Sequence, residues 1–118
     1  MSHIKASSTQ QENKKAAMAQ CPVHFTLEKI GGRWKPLLLF NLMSKKLRYN
    51  ELRRALPKVS EKMLIQHLRE LEQDGLVSRL VLTVVPPHVE YSLTKKGEEL
   101  APILNAMAQW GLKNREVA

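Results

Sequence analysis

The stretch Ser60-Glu61-Lys62-Met63-Leu64-Ile65-Gln66-His67-Leu68-Arg69-Glu70-Leu71-Glu72-Gln73-Asp74-Gly75 is punctuated at both ends and two-sided in between. Ser60 is a strong N-cap residue, and Gly75 is the usual residue at which a helix stops. At about 100° per residue, Leu64, Leu68 and Leu71 share one side, which predicts a core-facing stripe. The opposite side carries Lys62, Gln66, Arg69 and Gln73, with Ile65 at its edge. Acids outnumber cations in this segment, but Glu61, Glu70, Glu72 and Asp74 fall on the flanks or the other side of the wheel. The outward strip is therefore one of long donors and amides, whereas an ordinary solvated face mixes both signs. Arg, Lys and Gln suit guanine and adenine edges, and an Ile can touch a thymine methyl. Ser60, Lys62, Ile65, Gln66 and Arg69 are the candidate base contacts.

Upstream, Asn50 is the expected N-cap of a shorter helix, with Leu52, Ala55 and Leu56 as its stripe and Pro57 as its end. Two helices joined by a short turn, the second with such a face, form a DNA-reading unit. Before it come a helix from Pro22 carrying Val23, Leu27 and Ile30 and closed by Gly31-Gly32, and a second over about 33–43. The second carries Trp34, Leu37, Leu38 and Leu42 on one side, with Pro36 in its first turn. Leu47-Arg48-Tyr49 reads as a short extended piece. Downstream, 76–85 is rich in β-branched residues, Pro86-Pro87 forces a turn, and 89–93 alternates apolar and polar as a returning strand. Thr94 is expected to cap one long terminal helix. The order predicts a mainly α fold with a small β-hairpin (α+β), a winged helix-turn-helix.

The 118 residues suit one domain, and 43% apolar residues suffice for a core. Residues 1–20 are polar and read as a flexible arm, leaving 21–118 as the DNA-binding domain. Nineteen Lys+Arg against eleven Asp+Glu give a net +8, which points to a polyanionic partner. No apolar run approaches the roughly 20 residues of a membrane span. Met1 to Lys15 lacks an apolar core, so no secretory leader is expected, and the expected compartment is the cytoplasm. Between 33 and 58, eight cations (Arg33, Lys35, Lys45, Lys46, Arg48, Arg53, Arg54, Lys58) face one acid, Glu51. They flank the entry to the reading helix and are the candidate phosphate contacts, which position a protein without specifying sequence. On the wing, Arg79 along the strand and His88 at the tip are the candidate contacts.

Enzyme signatures are lacking: there is no phosphate-binding glycine loop, GxSxG or HExxH, and no cofactor is implied. The single cysteine excludes an intrachain disulfide, and the scattered histidines make a zinc site unexpected. A non-specific DNA-coating protein, or a winged helix used for protein contact, remains the alternative reading of the same features.

Taken in order, several segments resemble the HxlR-type winged-helix transcriptional regulators, relatives of the MarR group. They are Cys21-Pro22-Val23, Ile30-Gly31-Gly32-Arg33-Trp34-Lys35, Leu47-Arg48-Tyr49-Asn50-Glu51-Leu52-Arg53-Arg54, Ser60-Glu61-Lys62-Met63-Leu64, Leu68-Arg69-Glu70-Leu71-Glu72, Asp74-Gly75-Leu76-Val77, Val85-Pro86-Pro87 and Val89-Glu90-Tyr91-Ser92-Leu93-Thr94. The likeness runs unbroken over about 21–112. It implies a transcriptional regulator, with repression as the expected sign, acting as a homodimer on a two-fold operator in double-stranded DNA. His88 stands where that family often carries Arg.

The residues themselves also favour a dimer. Leu100, Ile103, Leu104, Met107 and Trp110 make a broad apolar stripe on the terminal helix, with Ala101, Ala106 and Ala108 allowing close approach. The plainer reading, that the stripe packs wholly on its own domain, is open at this point. Cys21 is expected to be the N-cap of the helix from Pro22, facing free N–H groups and the positive helix end, a setting that favours thiol chemistry. His24, when protonated, would add positive charge. An oxidant- or electrophile-sensing cysteine is one reading, as in some members of the resembling family, and an inert cap residue is the other.

Overall fold

A computed structural model describes residues 21–116 of the chain, so the expected arm over 1–20 lies outside the described residues. The chain divides into two compact units, one ending at Gly31 and one beginning at Gly32. In the first, α1 (Pro22–Ile30) follows Cys21 as N-cap, with proline in the first turn as expected. Its last turn closes through the Gly31 N–H, which donates to the Leu27 carbonyl at 2.7 Å. A Cβ at Gly31 would overlap that carbonyl, which explains the glycine there. Ile30 is buried, while Val23, Phe25 and Leu27 are exposed.

The second unit comprises α2 (Lys35–Leu42), β1 (Leu47–Arg48), α3 (Tyr49–Ala55), α4 (Glu61–Gln73), β2 (Val77–Thr83), β3 (His88–Leu93), α5 (Lys95–Glu98) and α6 (Ala101–Asn114). The core gathers Leu38, Leu39 and Leu42 of α2, Leu52 of α3, and Leu64, Leu68 and Leu71 of α4, closed by Val77 and Tyr91 of the sheet. The leucine stripe of α4 therefore packs as its spacing predicts. In α2 the buried set is Leu38, Leu39 and Leu42, while Leu37, expected inside, is 41% exposed. The inward stripe is centred one residue later than the sequence suggests.

The sheet is antiparallel in the order β1-β3-β2. The short extended piece expected at 47–49 is β1 over its first two residues, and what the sequence does not show is its pairing with β3, because two residues are too few to reveal an alternation. Leu47 pairs with Tyr91 and Arg48 with Glu90. A bulge interrupts β2 between Val81 and Thr83, and the hairpin turns through a cis Val85–Pro86 peptide.

Two helix boundaries differ from expectation. Asn50 is not the cap of α3: the helix starts at Tyr49, and Arg48 is its N-cap. The Arg48 N–H donates to Glu51 Oε1 at 2.8 Å, so the carboxylate three residues on, rather than the Asn50 amide, closes this end. The terminal segment is two helices, not one. Thr94 caps α5 by accepting the Gly97 N–H at 3.0 Å, but α5 spans only four residues before α6 begins. Pro102 in the first turn of α6 lacks an N–H and cannot continue the α5 ladder. Gly97 lies against the Leu76 carbonyl, where a Cβ would overlap it.

Candidate nucleic-acid interface

Local chemistry at both ends fixes α4. Ser60 Oγ accepts the Met63 N–H at 3.2 Å, and Gly75 leaves the helix at φ +74°, a conformation natural to glycine. The hydroxyl of Ser60, exposed, still has a hydrogen to donate. With the leucines turned inward, Lys62, Gln66, Arg69 and Gln73 all stand exposed on the outward side, and Ile65 sits at the margin. Nothing of the described chain covers this strip. Four of the five candidate base contacts thus follow one another along a single helix face, and Ser60 stands at its start.

Two acids of α4, Glu70 and Glu61, are held at its two flanks. Glu70 Oε1 lies 3.6 Å from Lys35 Nζ and 3.4 Å from His67 Nδ1, on the side toward α2. His67 Nδ1 is otherwise buried without a hydrogen-bond partner. On the other flank Glu61 Oε1 accepts the Tyr49 hydroxyl at 3.2 Å. Burial, and then the neighbouring Glu61 charge, push the Tyr49 phenol above its ordinary value of 10.0. Tyr49 therefore remains a neutral donor, tying Glu61 to the start of α3.

Between α4 and the hairpin runs an open groove of about 530 Å³. Glu61, Ile65, Arg69 and Glu72 line it from α4, Arg48 and Tyr49 from the β1–α3 junction, and Arg79 and His88 from the hairpin. Three arginines and two carboxylates share this space, so its positive excess is small and depends on how each arginine is held.

The other candidate cations separate into two groups. Arg33, Lys45, Lys46, Arg54 and Lys58 are exposed, with the Arg33 guanidinium stacked 4.8 Å from the Trp34 ring centroid. Lys35 is turned inward to Glu70, its side chain only 11% exposed. Arg53 is half-buried and donates to the Val59 carbonyl at 3.0 Å, bracing the turn between α3 and α4. Lys35 and Arg53, expected on phosphates, are thus occupied inside the domain, because each reaches an acceptor of its own fold. His88 is the first residue of β3, directly after the wing turn and opposite Thr83, and its ring lies between Arg48 and Glu90 rather than pointing free of the wing. The tip is apolar, with Val84 and Val85 the most exposed apolar side chains of the described residues.

A family model described as HxlR-like helix-turn-helix matches residues 29–118. The chain belongs to this family. It is 52% identical over 97 residues to the HTH-type transcriptional regulator YybR of Bacillus subtilis (strain 168), covering 82% of this chain and 78% of that protein. It superposes with a TM-score of 0.78 on a structure described as the redox regulator HypR in its oxidized form, at 52% identity over 82% of this chain and all of that one. A diamide-treated YodB from B. subtilis matches with a TM-score of 0.65 at 35% identity, over 83% of this chain and 98% of that one. This HxlR-like protein is a DNA-binding transcriptional regulator of the helix-turn-helix type, and its fold is the winged-helix fold of MarR-family structures.

Two further regions of the HxlR-like chain lie outside α4 and the wing. Cys21 is exposed at the N-cap of α1, and its sulfur makes no capping hydrogen bond. His24 is paired with Glu28, Nε2 to Oε1 at 3.0 Å. Among the described residues no three His, Cys, Asp or Glu side chains gather as metal ligands, and no helix is long and apolar enough to cross a membrane. On α6 the expected apolar stripe divides. Leu104 is buried in its own domain and Leu100 is half-buried, whereas Ile103, Met107 and Trp110 are exposed. Leu112 is exposed too, but at about 100° per residue it falls on the opposite side of α6 from Ile103.

Proposed function

We propose that this HxlR-like regulator is a sequence-specific repressor that binds a two-fold operator as a homodimer in the cytoplasm and responds to oxidants or electrophiles through Cys21. The observation that carries the reading is the exposed strip of Lys62, Gln66 and Arg69 on α4, with Glu70 and Glu61 held at its flanks. In this reading α4 lies in the major groove, where Arg69 and Lys62 address guanine, Gln66 addresses adenine, and Ile65 meets a thymine methyl. Arg33, Lys45, Lys46, Arg54 and Lys58 sit along the flanking phosphates. Trp110, 71% exposed on α6 beside Met107 and Ile103, favours burial of that face against a second copy. Two copies so paired present two reading helices about one turn of DNA apart.

Cys21 supports a redox response by its exposure and by the redox regulator among the similar structures. Two Cys21 thiols, one from each copy, would lose two electrons and two protons to a peroxide or another two-electron oxidant and join as a disulfide. A small thiol could replace the second cysteine in the same balance. Selection of bound sites from random duplexes tests the reading: a two-fold symmetric site is expected, and equal binding to all duplexes would leave only a DNA-coating role. Cys21→Ser is expected to bind that site as the wild type does and to lose any response to oxidant; a retained response removes the cysteine from the account.

A further inference from the structure

The role of His88 follows from the chemistry of its two neighbours. Arg48 Nη2 lies 3.1 Å from His88 Nδ1, and His88 Nε2 lies 3.3 Å from Glu90 Oε1. A guanidinium has donors and no acceptor, so Nδ1 must offer its lone pair to Arg48. The neutral ring then carries its one hydrogen on Nε2, where Glu90 is the acceptor at hand. The order of donation is fixed: Arg48 to His88, His88 to Glu90. Both bonds lie on the β1–β3 ladder, in which Arg48 and Glu90 are direct cross-strand partners.

The backbone of Arg48 is held independently. It pairs with Glu90 on one side, and its N–H is committed to Glu51 on the other. What remains variable is the direction of its long, exposed side chain, and His88 sets that direction. Arg48 and His88 both line the groove between α4 and the hairpin, across from Arg69. A guanidinium uses five donors, so the bond to Nδ1 leaves others open to a phosphate oxygen.

We propose that His88 is a positioning residue for DNA binding: it touches no nucleic acid and orders the Arg48 guanidinium at the mouth of the groove for a backbone phosphate. The inference rests on the DNA-binding reading above and adds the indirect role of the wing histidine. A pre-ordered arginine loses less side-chain freedom when it meets its phosphate, which is the general gain from preorganisation. Glu90 acts one step further back, fixing the imidazole tautomer that Arg48 requires.

The test is a double-variant cycle with the full chain and a labelled mixed-sequence duplex, since phosphate contacts are sequence-blind. Arg48→Ala is expected to weaken binding and to lower the slope of log affinity against log salt by about 0.9, the share of one phosphate. His88→Ala is expected to weaken binding about three- to tenfold, the range of one net hydrogen bond, and to cause no further loss in the Arg48→Ala background. His88→Asn, whose Oδ1 offers an acceptor near the place of Nδ1, is expected to restore most of the affinity. Losses that add in the double variant would make His88 an independent contact and overturn the proposal. A His88→Asn variant as weak as His88→Ala, or a His88→Ala variant as tight as the wild type, would overturn it as well. Wild-type protein that fails to bind the duplex would sink the DNA-binding reading together with this one, a result distinct from the other three.

Discussion

Lys35 Nζ stands 3.6 Å from Glu70 Oε1, with the lysine side chain almost wholly covered and the glutamate partly open to water. One basic residue of the cationic segment thus ties the start of α2 to α4. Lys35→Ala is expected to lower folding stability by about 1 kcal/mol at most, given the exposure of Glu70, and to leave the salt slope of duplex binding unchanged. Lys45→Ala, at an exposed loop position, is expected to leave stability unchanged and lower that slope by about 0.9. Denaturant titrations and salt-dependent binding on the two variants check the exchange of roles.

Arg69 is the outward cation that also reaches the groove wall. Arg69→Ala is expected to relax sequence preference at one base position of the selected site, costing roughly 1–3 kcal/mol there and little elsewhere. Competition among single-base variants of the site measures this. A uniform loss across all of them would move Arg69 to the phosphate contacts.

Glu51 is acid-sensitive in a direction that can be stated. The Arg48 N–H, and then the charges of Lys45 and Arg54, hold its carboxyl below the ordinary value of 4.5. A depressed folded value means the ionised form favours the fold. Its contribution is therefore present above pH 4.5 and is lost as pH falls through the lower folded value. Glu51→Gln keeps an acceptor but does not titrate, so the fall in denaturation midpoint from neutral to acid pH should be smaller in that variant. An identical fall in both proteins would remove Glu51 from the acid response.

The outer face of α6 gives a prediction about assembly. Trp110→Asp and Met107→Asp place charge on exposed apolar positions, so each is expected to leave the monomer folded and shift the molecular mass in solution from dimer to monomer. Leu104→Asp is expected to unfold the domain, because that side chain is 3% exposed within it. Light scattering together with circular dichroism separates the two outcomes. A monomeric wild type would remove the dimer reading.

Much of the fold and of the α4 face is legible in the amino-acid sequence, and the reasons are local. The stripe of Leu64, Leu68 and Leu71, the Ser60 cap, the Gly75 stop and the turn at Pro86-Pro87 are each decided by neighbours a few residues away, which periodicity and capping chemistry express directly. What stays hidden depends on contacts between distant positions. Arg48 and His88 are separated by 40 residues and meet only because β1 pairs with β3. Lys35 reaches Glu70 by the same kind of long-range packing, so counting cations along the chain overstates the number left uncommitted by the fold. Tyr49, which holds Glu61 at the flank of α4, carries no signal beyond a lone aromatic residue at the end of a short extended piece. The break between α5 and α6 does have a local cue in Pro102, masked by the apolar spacing that continues across it.

Dimethyl sulfate probing of a selected duplex, with and without the protein, tests most directly whether α4 enters the major groove. Guanine N7 lies in that groove, so two clusters of protected N7 positions are expected, centred roughly 10 base pairs apart. N7 methylation unchanged from the free duplex, while the sugar–phosphate backbone is shielded from cleavage, would contradict the account.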